Sequence, residues 1–286
     1  MNPFPQVKKN VRHLKRTIFS GRLMIVTGAA LLVFIAVLSI AGPLLVSNDP
    51  YTANMGERFA SPSLQYPLGT DNLGRCIFTR LMVGAKATLG ITALVVASVL
   101  CIGLPLGLLS GYAGGRFDAF LMRTADGLLA LPEFILAIAI AGFMGPSLTN
   151  LMIAVVAVKW ITYTRLVRGI VISEKEKEYI LAAKVGGCSD WKILRRHILP
   201  HILSPVLILA ALDIGKVILI ISSLSYIGLG AQPPNPEWGA MLNDGRPYFQ
   251  TYPELMIYPG FAIFLVVLSC NLIGEGLRDR LDVKSR

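Results

Sequence analysis

EYILAAKVGGCSDWKILRRHILP, residues Glu178 to Pro200, is a polar interruption in a chain that is otherwise greasy. It holds Glu178, Lys184 and Asp190, then Lys192, Arg195 and Arg196, with a Gly-Gly pair in the middle and a proline at the end. Ile172 to Val185 consists of good helix formers, with Glu174–Glu178 and Lys175–Tyr179 at i,i+4 on a solvated face. Ala182 and Ala183 leave one surface small, so another backbone can approach. Gly186-Gly187 permits a tight or left-handed turn that a side chain would obstruct. Ser189 or Asp190 is placed to cap the next helix, and Pro200 is expected to break the pattern before the chain continues. Two readings fit this spacing: a short helix that docks into a partner's groove, or an ordinary solvated loop.

The surroundings decide the class. Hydrophobic residues make up 54% of the 286-residue chain and charged ones 15%, with a mean hydropathy of +0.62, whereas soluble domains carry about 25% charged residues. Apolar runs long enough to cross a bilayer recur, which predicts an all-α membrane protein. Six spans can be read at Leu23–Val46, Ala87–Tyr112, Arg123–Met144, Leu148–Leu166, Leu203–Ser223 and Leu255–Leu277. The first is longer than the apolar core of a cleaved signal and lacks a small-residue cleavage site after it.

Lysine and arginine fix the orientation. Twenty lie in the 1–22 tail, the Gly114–Arg123 connection, the Arg165–Arg196 segment and the C-terminal tail, against five (Arg58, Arg75, Arg80, Lys86, Arg246) in the opposite connections. Both termini and the quoted stretch are therefore expected in the cytoplasm. The formal net charge of +10 is spread over separate loops, which suits anionic lipid heads and not nucleic acid. The four cysteines form no C-x-x-C pair, and no metal site is expected. No zinc-protease, nucleophile-elbow or phosphate-binding motif occurs, so an enzyme reading has no support.

Ionisable residues at membrane depth are costly and tend to face a bundle interior or water. Asp126, Glu133, Asp213 and Lys216 are the candidates for pathway or intramembrane pairs. Asp213 and Lys216, at i,i+3, are spaced to pair on one helix face. Asp126 and Glu133, two turns apart, fall on one face of the third span. Lys159, near Trp160 and Tyr163, reads equally as an interfacial residue whose amine reaches the membrane surface. Trp238, Tyr248, Phe249 and Tyr252 in the Ser225–Pro253 loop form either an aromatic belt or a docking surface.

The quoted stretch resembles the signature loop of ABC-importer permeases. In that family Glu-Ala-Ala is followed by three residues, a glycine, nine residues and a hydrophobic–x–Leu–Pro ending. Here the pattern is Leu181-Ala182-Ala183, Gly187, and His197-Ile198-Leu199-Pro200, with Leu181 in place of the glutamate and His197 as a variant of the dipeptide, oligopeptide and nickel branch. LGTDNLGRCIFTRL (Leu68–Leu81), GLLSGYAGGRFDAFLMRTADGLLALP (Gly107–Pro132), SLSYIGLGAQPPNPEWGAMLNDGRPYF (Ser223–Phe249) and NLIGEGLRDRLD (Asn271–Asp282) resemble further motifs of that branch, in order. The resemblance is to the second, C-type permease of a pair. It implies a type I permease fold with six transmembrane helices and a cytoplasmic coupling helix. The divisions are then a basic tail at 1–22, a first helix at 23–46, an extracytoplasmic loop at 47–83, a core at 84–277 with its coupling loop at 167–202, and a tail at 278–286. It also implies a partner permease, two ATPase subunits that hold the ATP and magnesium, and an extracytoplasmic binding protein. The coupling residues it implies are Leu181, Ala182, Ala183, Gly187, Ser189, Asp190, Leu199 and Pro200. The cargo would be di- or oligopeptides or nickel and metal chelates, with WGAMLNDGRPYF leaning toward nickel. The competing function is an ATPase-independent channel or secondary transporter.

Overall fold

In the computed structural model of the chain, residues 21–46 and 48–281 are described. The lysines and arginines of 1–20 and 282–286 that contribute to the orientation count lie outside them. The described residues are helical apart from loops and one isolated bridge, Thr70–Cys76.

Helix α1 spans Gly21–Leu45, α2 Ile77–Ala113, α3 Gly115–Leu129, α4 Glu133–Met144 and α5 Leu148–Lys175. Helix α6 is Glu178–Val185, and α7 runs Asp190–Tyr226 with a π turn at Leu194–Ile198. The short α8 (Trp238–Gly245) precedes α9, Glu254–Leu281. Five of these helices are long and apolar enough to cross a membrane, and α3 and α4 pass the same test only as a pair, bent by 90° at the break between them.

That break corrects the expected Arg123–Met144 span. Pro132 supplies no amide hydrogen to a continuing helix and disfavours helical backbone at Leu131, so α3 ends at Leu129 and α4 restarts at Glu133. Asp126 and Glu133 therefore lie on different helices, not on one face. Other helices outrun their apolar stretches: α2 starts ten residues before Ala87, and α5 continues past Leu166 to Lys175. Pro200 does not end a helix either. Leu199 N–H already bonds five residues back to Leu194 O, so the missing proline N–H falls where the ordinary four-residue ladder is interrupted anyway.

Close backbone approach holds the bundle together. Along α2, Gly103, Gly107 and Gly111 recur every four residues and face Tyr163, Val167 and Val171 of α5, which recur at the same interval. A Cβ on these glycines would stand 2.8, 2.6 and 2.8 Å from the Cβ atoms of those partners. Only glycine permits this distance. Helix α1 meets α9 similarly, where Gly28 would place a Cβ 2.6 Å from Ser269 O. The larger core is filled by Val95, Val99, Leu151, Val155, Ile202, Val206 and Ile221, and a second lies between α2, α7, α8 and α9 around Trp238, Ile218, Ile263 and Val266.

Candidate functional site

The polar interruption forms a hairpin at one end of the bundle. Helix α5 stops at Lys175, so Ile172–Val185 is not one helix: Glu176 and Lys177 turn the chain before α6. Glu174 is not on a solvated face but buried, where it accepts from Lys177 Nζ at 2.6 Å and Tyr179 Oη at 2.7 Å. Burial and then this bond push Tyr179 up to about 12, so the hydroxyl keeps its proton and remains the donor. Ile180, fully buried, anchors α6 from beneath.

At the other end of α6, Gly187 adopts φ +80°. Cys188 N–H bonds to Ala183 O at 3.0 Å and Gly187 N–H to Lys184 O at 3.1 Å, the paired bonds that close a helix with a left-handed residue. The Gly-Gly pair is thus explained by helix termination. The hairpin leaves a face uncovered: Leu181 is 50%, Trp191 70% and Val185 90% exposed. Leu181 and Val185 share one side of α6, and Ala182 is exposed beside them. These apolar side chains stand exposed around a tight turn.

The expected cap of the following helix differs. Ser189 occupies the capping position, yet no side chain bonds to the free amides there. Asp190 instead accepts a 2.5 Å bond from Tyr112 Oη at the end of α2. Leu199 and Pro200 lie just beyond the π turn, where α7 enters the bundle.

Within the bundle, the expected Asp213–Lys216 pair does not form. Asp213 is buried and meets Lys159 Nζ at 3.0 Å and Tyr163 Oη at 3.3 Å, whereas Lys216 is exposed on another side of α7 and has no ion pair among the described residues. Lys159 does not reach toward a membrane surface: it is buried and also meets Glu133 at 3.0 Å. One cation between two carboxylates therefore joins α4, α5 and α7. Asp126 stands apart, paired with Arg165 on the exposed flank of α3 and α5.

The opposite end carries a second polar node, absent from the candidate residues read above. Arg75 Nε meets Asp71 at 2.7 Å and its Nη2 meets Asp244 at 3.3 Å. Arg80 spans the same two carboxylates at 3.4 and 3.5 Å and donates to Pro50 O at 2.9 Å and Pro234 O at 3.3 Å. Burial pushes the Asp244 carboxyl up against the pull of Arg80 and Arg75. Next to it, Glu237 caps α8: its Oε1 accepts from Gly239 N–H and Thr88 Oγ1, and its Oε2 from Ala240 N–H, each at 3.0 Å. Trp238 is buried and donates to Leu81 O at 2.9 Å, so it belongs to neither an aromatic belt nor an exposed docking surface. Tyr252 stacks on Phe59 with centroids 4.1 Å apart, and Tyr248 meets the edge of that ring.

Known proteins resemble the chain in sequence and in fold. Residues 103–286 match the family described as binding-protein-dependent transport system inner membrane component. A dipeptide transport system permease protein of Alkalihalophilus pseudofirmus is 42% identical over 99% of this chain and 89% of its own length. A probable D,D-dipeptide transport system permease protein of Escherichia coli is 39% identical, over 96% and 95%. The nickel transport system permease protein of Escherichia coli is 37% identical, over 92% and 95%. In fold, the chain resembles a chain of the inward-facing MetNI methionine ABC transporter, with a TM-score of 0.56, 18% identity, and coverage of 70% of this chain and 95% of that one. With its bundle of apolar helices and near-complete alignment to these permeases, the chain belongs to the family of binding-protein-dependent transport system inner membrane components, and is a multi-pass permease subunit of an ABC importer.

Proposed function

We propose that this permease, with a second permease subunit, forms the pathway of an importer for di- or oligopeptides or nickel chelates, and that the α6–α7 hairpin is where one of two ATPase subunits drives it. Cargo arrives on an extracytoplasmic binding protein, and ATP and magnesium sit on the ATPases. The hairpin end of the bundle and both termini are cytoplasmic, in line with the excess of lysine and arginine there. The α8 end, with its polar node, faces the binding protein across the inner membrane of a prokaryotic cell.

The observation that carries this reading is the uncovered face of Leu181, Ala182, Val185 and Trp191 on a hairpin held firmly from beneath by Ile180 and Glu174. A small, apolar, preorganised projection is what a groove on a soluble subunit can grip at low entropic cost. In an assembled complex whose permease lacks its four native cysteines, a cysteine at Ala182 or Ser189 should crosslink to an ATPase subunit bearing a groove cysteine. The yield should change when nucleotide is added. Absence of crosslinking from both positions in a transport-active complex refutes the docking role.

A further inference from the structure

We infer that the Tyr112–Asp190 hydrogen bond is the strut through which displacement of the α6–α7 hairpin reaches the paired helices α2 and α5. The inference rests on the docking role proposed for the hairpin and adds a positioning residue, Tyr112, outside it.

Besides the buried Ile180 and Ile193, two hydrogen-bonded contacts fasten the hairpin to the bundle. On its leading side, Glu174 of α5 holds Lys177 and Tyr179 at 2.6 and 2.7 Å. On its trailing side, Asp190 holds Tyr112 of α2 at 2.5 Å. Helices α2 and α5 are themselves joined over the intervening length by the glycine contacts at Gly103, Gly107 and Gly111. Lys175 Nζ adds a 3.0 Å bond to Gly111 O, one residue before Tyr112. The connections close a ring: α6, Glu174, α5, α2, Tyr112, Asp190 and back through the Gly186-Gly187 turn.

Opening that ring at Tyr112 leaves the trailing side held by α7 and the apolar packing of Ile193, with no polar tie to α2. The residues immediately following Asp190–Ile193 form the π turn Leu194–Ile198, a local departure from the α ladder where a helix bends readily. Force on the hairpin would then be absorbed at that turn instead of moving α2 and α5 together. The placement of Asp190 points the same way. Ser189, in the capping position, leaves the first amides of α7 without a side-chain partner, and the Asp190 carboxylate beside them reaches across to α2.

The test uses the complete importer in proteoliposomes, with the binding protein loaded with radiolabelled dialanine or, where it binds that cargo instead, with radioactive nickel. The readout is cargo imported per ATP hydrolysed. Tyr112→Phe removes one oxygen and keeps the ring; it should lower this ratio about five- to tenfold, the factor that the net contribution of one solvent-exposed hydrogen bond corresponds to. The Ala182→Cys crosslink to the ATPase should persist in that variant. Asp190→Asn should lower the ratio likewise, and the double variant should be no worse than the poorer single one, since both changes break one contact. An unchanged ratio in Tyr112→Phe, additive losses in the double variant, or loss of the crosslink in Tyr112→Phe each overturns the strut. Failure of the crosslink in the otherwise unaltered permease instead refutes the docking role itself.

Discussion

Gly107→Ala tests the α2–α5 contact with the smallest perturbation available. The new methyl carbon would lie 2.6 Å from Val167 Cβ and 2.7 Å from Thr164 O, against about 3.5–4.0 Å for an ordinary contact between carbons. Neither neighbour is the free end of a flexible side chain: one is a backbone oxygen and the other a carbon bonded directly to the main chain. The helices must therefore part by about 1 Å, enough to forfeit a quarter to a half of each contact's attraction along the seam. Overpacking of this kind costs about 1–3 kcal/mol, and a backbone-to-backbone clash belongs in the upper half of that range. Alanine returns up to about 1 kcal/mol through helix propensity. Gly90→Ala, in the same helix but with nothing within 4 Å of the added carbon, receives the propensity gain without the clash. Comparing the two variants cancels propensity and leaves a difference of about 2–3 kcal/mol. Unfolding by SDS titration in mixed micelles, followed by tryptophan fluorescence, measures it. Equal midpoints for Gly107→Ala and Gly90→Ala would show that the seam yields freely, and the rigid α2–α5 unit would have to be abandoned.

Lys159→Ala should lower the yield of monodisperse folded protein far more than Lys159→Arg, because stripping the cation from a buried pair costs about 3–5 kcal/mol; size-exclusion profiles in detergent compare them, and Lys159→Ala/Asp213→Ala should recover part of the loss. Glu237→Ala should destabilise by about 2–3 kcal/mol through the loss of a helix cap and of hydrogen bonds to a buried carboxylate, whereas Glu254→Ala, at a partly exposed position, should shift the same SDS titration little.

Sequence patterning reveals the spans well because long apolar runs depend on the solvent around the chain, and the helix-ending glycines are legible because Gly186-Gly187 acts within a few residues of itself. What patterning misses is contact between distant segments. Asp213 and Lys216 are neighbours in sequence, yet Asp213 pairs across 54 residues with Lys159, since α7 turns Lys216 away from it. Asp190 looks like a local cap, and its partner Tyr112 lies 78 residues earlier. The break in the third span had a local sign in Pro132, but membrane helices often tolerate proline, and α2, α7 and α9 continue through Pro105, Pro205 and Pro259. The node of Asp71, Arg75, Arg80 and Asp244 joins the loop before α2 and the first turn of α2 to the end of α8, and no periodicity links them.

That node also sets a mechanical scale. Helix α2 has 37 residues, about 55 Å of α-helix, and Arg80 pins its first turn to both outer loops. Tyr112 lies at the far end. Tyr112 is about 48 Å along the helix from that pivot, so a rotation of only about 5° sweeps it through about 4 Å. The long arm lets a small angular adjustment near the fixed end accompany a large stroke at the hairpin, while the loops around Arg80 stay nearly still.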